Sequence, residues 1–247
     1  MRTFLSFAAL LLVAQVSQAA ESFQSAKITF IQKDVAVADL KVATTDASGE
    51  VKRREAALNE TVTKDNAVVT GQKSRAELQF NDGTITRLGQ LTSFSFTQGT
   101  RTAQVKQGTA LFVVPKGMGG TTIQAGPVTA AITGTTLLVQ VVDGRVLVYV
   151  YEGSVVVDGK TIEGGQVISV EKGASVVNRF DVRKGLDTAA VFSKFIESPS
   201  QRQVELQLAE VLKQAGDNPA AKSDLQDRAV LENVVEQNHE PRYYYPQ

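Results

Sequence analysis

"TGTTLLVQVVDGRVLVYVYEGSVVVDG", Thr133 to Gly159, consists almost wholly of β-branched and aromatic residues cut by glycine. The runs "TTLLVQVV" and "RVLVYVYE" flank Asp143-Gly144. Such a pair suits a two-residue hairpin turn, whose central positions take positive φ. The two runs are therefore expected to pair as a hairpin, with "SVVV" continuing the meander. Alternation is weak, since Leu137, Leu138 and Val139 are consecutive and apolar, and such runs suit central strands covered on both faces. Burying a Val or Leu contributes roughly 1.5–3 kcal/mol. The segment reads as the core hairpin of a β domain rather than a ligand site.

The same grammar extends outward, from about Ala26 to Val177. "RAELQF" (Arg75 to Phe80) alternates, and Asn81-Asp82-Gly83 supplies a turn before "TITRL". Glu152-Gly153 and Asp158-Gly159 repeat the punctuation, and glycines such as Gly71, Gly99, Gly108, Gly126 and Gly134 keep the segments short. Short strands between turn signals predict a mainly β fold, an antiparallel β-sandwich or roll of many short strands. Gly-rich "VPKGMGGTT" (Val114 to Thr122) has backbone N–H groups and Lys116 to offer an anion, but it lacks the spacing of a P-loop. It reads as a turn between strands.

After Asp181 the pattern becomes helical. Asp187 is expected to cap a short helix, "TAAVFSKFI". In "SPSQRQVELQLAEVLKQAG", Ser198 stands at the N-cap, Pro199 at the first helical position and Gly216 just past the end. Val204, Leu208, Val211 and Leu212 form one apolar stripe. A further helix is expected after Asn218-Pro219, with Leu225, Leu231, Val234 and Val235 on its face. These helices either fold back on the sheet or present a hairpin to a partner. Tyr243 to Tyr245 lie in an extended tail. The expected organisation is a leader at 1–19, a β domain at 20–180, a helical segment at 181–240 and a tail at 241–247.

The 247 residues include 26 Lys+Arg against 26 Asp+Glu, without the basic excess that nucleic-acid binding usually needs. Cys and Trp are absent and His239 is the lone histidine. Disulfides, thiol catalysis, cysteine zinc sites and the usual histidine-based triads thus lose their parts. "MRTFLSFAALLLVAQVSQAA" has one early cation, an apolar run from about Phe4 to Val16 and a small-residue exit. It reads as a secretory signal peptide cleaved after Ala19, leaving no membrane span.

Several β-segments together resemble the FecR-like domain family. They are "AVVTGQKSRAELQFNDGTITRLGQLTSFSF" (Ala67 to Phe96), "VKQGTALFVVPKG" (Val105 to Gly117), "VTAAITGTTLLVQV" (Val128 to Val141), "VLVYVYEGSVVV" (Val146 to Val157) and "IEGGQVISV" (Ile162 to Val170). Gly134-Thr135 matches the family's glycine-threonine step. Gly71, Asp82, Gly83, Gly134, Thr135, Gly144 and Gly153 match its turns and are expected to be structural. The family's regulators carry an anti-sigma segment and a transmembrane helix before this domain, where this sequence has its leader.

The resemblance implies an exported, periplasmic β domain that acts by binding, with no catalytic residue, metal or cofactor. The expected partner is another envelope protein, in envelope signalling. Cell-wall glycan is the alternative, met by the hydroxyls and amides of "TSFSFTQGTRTAQ" (Thr92 to Gln104). For an enzyme, Glu77, Asp82 and Glu152 offer no reason to choose among them. Each reads as a solvated strand or turn position.

Overall fold

The computed structural model describes residues 21–41, 53–188, 195 and 198–216. The expected leader, most of "TAAVFSKFI", the helix after Asn218 and the tyrosine tail lie outside them. Among the described residues, seventeen strands form two layers that share one long strand. The first layer runs β4 (Thr61–Val62), β1 (Ala26–Gln32), β6 (Arg75–Phe80), β7 (Ile85–Leu88), the second half of β9 (Thr102–Val113), β12 (Thr136–Val142), β13 (Arg145–Glu152), β16 (Gln166–Glu171) and β17 (Ala174–Arg179). The second runs β3 (Arg53–Glu55), β2 (Val35–Asp39), β5 (Asn66–Thr70), β8 (Ser93–Thr97), the first half of β9, β10 (Thr121–Ala125), β11 (Val128–Ile132), β14 (Ser154–Val157) and β15 (Lys160–Glu163). All these pairings are antiparallel except β9 with β10.

Leu78, Phe112, Val139, Val148 and Ile168 from the first layer and Val68, Phe94, Ile123 and Val155 from the second build the buried core. The mainly β sandwich is thus as expected. Its strand β9 changes layer at Gly108, whose φ is +87°. A Cβ there would lie 2.4 Å from the Thr92 Cα, so only glycine lets the two backbones meet. Gly108 therefore sits inside a strand rather than ending one. The Thr92 hydroxyl, 3.0 Å from the Gly89 carbonyl, accepts the Thr109 N–H at 3.0 Å and ties the corner.

β12 and β13 pair as a hairpin in which Val142 faces Arg145 across Asp143 and Gly144, at φ +50° and +77°. Both strands are buried residue after residue. Leu137, Val139, Val148 and Val150 enter the core, while Leu138, Leu147, Tyr149 and Tyr151 enter a second apolar cluster on the outer face. The meander, however, does not continue into "SVVV". β14 crosses to the second layer and pairs with β11 and β15, while the place beside β13 is taken by β16. The turn at Gly153 (φ +83°) is a corner between layers, not a hairpin.

The first helix begins before the expected Asp187 cap. Helix α1 is Val182–Thr188, with Asp187 inside it. Asp181 is the cap: its carboxylate accepts the Lys184 N–H at 3.0 Å and its carbonyl the Gly185 N–H at 2.8 Å. Helix α2 is Gln201–Gly216, starting two residues later than the serine-proline pattern suggests, with Ser200 at its N-cap position. Among the described residues no helix is long and apolar enough to cross a membrane.

Candidate functional site

Alternate residues of the first layer point away from the core. Ile85, Leu111, Val113, Leu138, Tyr149 and Val167 make an outer apolar strip. The stripe of α2 covers it, with Val204 and Val211 fully buried and Leu208 and Leu212 packed against the cluster. This is the fold-back arrangement of the two considered. Phe180 stands edge-on to Tyr149 and Tyr151, with centroids 5.3 and 5.1 Å away. Burial pushes the Tyr149 phenol up to about 12, and burial together with its neighbour Tyr149 pushes Tyr151 higher still.

A buried carboxylate from the β domain sits at each end of this seat. Glu77 on β6 faces Arg87 on β7 as its direct cross-strand partner, with Nε 2.8 Å from Oε2 and both side chains fully buried. Thr29 donates to Glu77 at 2.7 Å, and the hydroxyls of Ser198 and Ser200 donate to the same carboxylate oxygen. The Arg87 guanidinium donates to Gln201 at 2.8 Å and lies 4.5 Å from the centre of the Phe195 ring. Phe195 packs in turn on Phe30. Burial lowers the Arg87 pKa, against the opposing pull of Glu77, but an arginine keeps its charge there.

Glu152, the last residue of β13, forms the second anchor. Lys116 reaches it from the loop after β9 at 2.7 Å, and that contact raises the lysine pKa. Gln207 of α2 donates to one carboxylate oxygen and Gln214 to the other at 3.4 Å. The Gly-rich loop is thus a crossover whose Lys116 is engaged by a carboxylate, not held out for an anion. A third pair lies apart from the seat. Asp82 accepts from Arg101 at 2.6 Å, and Arg101 also holds the Glu21 carbonyl at 2.7 Å.

The expectation that Glu77, Asp82 and Glu152 are solvated is therefore wrong for all three, which are 0%, 6% and 2% exposed. "RAELQF" does alternate, and Ala76, Leu78 and Phe80 do face the core. The opposite face meets the appendage instead of water, which local alternation has no means of reporting. The readable signal was the register: a turn at Asn81 to Thr84 brings Glu77 opposite Arg87.

Of the family-pattern residues, Gly134, Thr135 and Gly153 meet beside the Glu152 anchor. A Cβ on Gly134 would lie 2.8 Å from the Lys116 Cα, and one on Gly153 would lie 3.3 Å from Thr135. Gly144 closes the far end of the β12–β13 hairpin and Gly83 the turn after β6. Gly71 backs onto the Asp34 carboxylate. In the Thr92 to Gln104 segment, Thr92 is buried in the Gly108 corner, Ser95 donates to Gln104 at 3.3 Å and Thr100 donates to the Thr97 carbonyl at 3.0 Å. These hydroxyls are engaged within the protein.

Residues 66–156 match the family model described as FecR protein. The segment runs from the start of β5 into β14 and holds Glu77, Arg87, Lys116 and Glu152. Two crystal structures of a candidate anti-sigma factor from Parabacteroides distasonis ATCC 8503, at 1.65 and 2.50 Å resolution, are similar to this chain. They share 18% and 19% identity, cover 48% and 51% of this chain, and give a TM-score of 0.45 each. The chain spans 62% and 64% of those chains. No curated protein matches the sequence.

Proposed function

We propose, from the FecR domain at residues 66–156, that this chain is a non-catalytic adaptor of the bacterial cell envelope, exported to the periplasm and working through protein contacts in envelope signalling. The family domain supports the regulatory class. The observation that carries the binding mode is the outer face of the first layer, where an apolar strip between two buried carboxylates receives an amphipathic helix. A helix laid in a groove through spaced apolar anchors is a recurrent way for proteins to recognise one another. The two P. distasonis structures are described as a candidate anti-sigma factor, a description of the same regulatory kind.

The test is a pull-down from solubilised bacterial envelope with the tagged full chain, after mild cross-linking. Specific recovery of one envelope protein supports the adaptor. Recovery of wall glycan without a protein partner favours the polysaccharide-binding alternative, and recovery of neither refutes both.

A further inference from the structure

The contacts holding the C-terminal segment divide into two kinds. The charges of the seat are matched inside the β domain: Glu77 has Arg87 at 2.8 Å, and Glu152 has Lys116 at 2.7 Å. What residues 198–216 bring to those carboxylates is neutral, two serine hydroxyls and two glutamine amides, and the attraction of Glu205 for Arg87 and of Glu210 for Lys116 is weaker than that of Glu77 and Glu152 for the same cations. Lifting a cover that carried the counter-charges would strand buried ions, which is prohibitively unfavourable. Lifting this one exchanges for water the bonds that uncharged groups make to Glu77, Glu152 and Arg87 and part of an apolar stripe, and each carboxylate keeps its cation. The seat also lies largely on the family-matched segment, whereas the cover lies wholly outside it.

We infer that residues 198–216 are a displaceable cover, and that the seat beneath receives a partner's helix of the same chemistry. That helix is amphipathic, with hydroxyl donors before its first turn for Glu77, an apolar i, i+4, i+7 stripe for the strip, and amide donors at its middle and in its last turn for Glu152. The inference rests on the adaptor reading and names its contact. A tethered segment acts at an effective concentration on the order of millimolar. The seat is therefore closed by default, and a partner helix at micromolar levels must bind on the order of a thousandfold better than an untethered copy of the cover, or meet a weakened one.

Two measurements on the full chain test this. In the first, a fluorescent peptide with the sequence Ser198 to Gly216 is titrated by anisotropy into the parent and into Gln207→Ala/Gln214→Ala, which weakens the chain's own cover. Losing the two amide bonds should tighten peptide binding roughly 10–100-fold, and adding Glu77→Leu should weaken it again. Equal affinity in both chains, or no binding to either, overturns the inference.

The second, amide exchange on the unaltered chain, depends on no variant. Amides of α2 should exchange at least a hundredfold faster than those of β12 and β13, through local opening. Equal protection overturns the inference, as would dimerisation of the weakened chain through swapped covers, since a second copy would then be the occupant. Failure of the envelope pull-down with peptide exchange intact would sink the adaptor reading alone. Uniform protection with a recovered partner would sink the cover alone.

Discussion

Replacing Glu77 with leucine removes the carboxylate that Arg87, Thr29, Ser198 and Ser200 share. The guanidinium keeps Gln201 and the Phe195 ring but loses its Glu77 counter-charge at a fully buried position. Breaking a buried pair from one side costs about 3–5 kcal/mol, a Tm decrease of roughly 6–20 °C for a chain of this size. Arg87→Met should fall near the lower end, about 3 kcal/mol, because Glu77 retains three hydroxyl donors. With Glu77→Leu and Arg87→Met combined, no stranded charge remains. The cost should then shrink to about 1–2 kcal/mol, for hydroxyls that have lost their acceptor. The coupling from a double-mutant cycle in urea, followed by far-UV circular dichroism, should exceed about 2 kcal/mol. Single-mutant costs that simply add in the double mutant would refute the claim that the ion pair dominates this anchor.

The Tyr149 hydroxyl is buried without a hydrogen-bond partner among the described residues, so Tyr149→Phe should stabilise the protein at pH 7 by about 1 kcal/mol in urea unfolding. Its phenol, at about 12 in the fold against an ordinary 10, keeps its proton longer in the native state. The stability this group contributes should be intact below pH 10 and be lost as pH rises from 10 through and beyond 12, by up to about 2.7 kcal/mol in all, and Tyr149→Phe should remove that part of the alkaline loss. Gly108→Ala puts a Cβ against backbone at a positive φ and should cost more than about 2 kcal/mol by thermal melting; a variant of parental stability would contradict the layer-switch geometry. Asp82→Ala frees Arg101, which holds the Glu21 carbonyl, so limited proteolysis should trim the N-terminal segment faster while cleavage near α2 stays unchanged.

The β class, the Asp143-Gly144 hairpin and the two-sided burial of β12 and β13 were legible because each is written locally, in turn residues and apolar runs. The layer switch at Gly153 was not. An interlayer corner and a hairpin both call for glycine at positive φ, and only the tertiary pairing of β13 with β16 separates them. The α2 stripe was legible from its period, but its start was not. Ser198 and Ser200 are ordinary cap residues by type, yet their hydroxyls go to Glu77, more than a hundred residues away in sequence.

The three misread acids share one logic. Asp82 and Glu152 sit at a turn and a strand end and Glu77 within β6; each is neutralised by a cation of the same domain, and each then has lone pairs left over. Those lone pairs face material outside the family segment or its cation does. Glu77 and Glu152 receive α2 and the residues before it, while Arg101, paired with Asp82, receives the residues around Glu21. A β-sandwich with a purely apolar outer face would bind any greasy helix in several registers. Fixed acceptors at the two ends of the strip admit only a helix whose donors arrive at both, because an unmatched buried acceptor costs more than a matched one gains. The ion pairs thus act less as stabilisers of the domain, a role in which buried pairs are often replaceable by apolar residues, than as the register marks of its docking face.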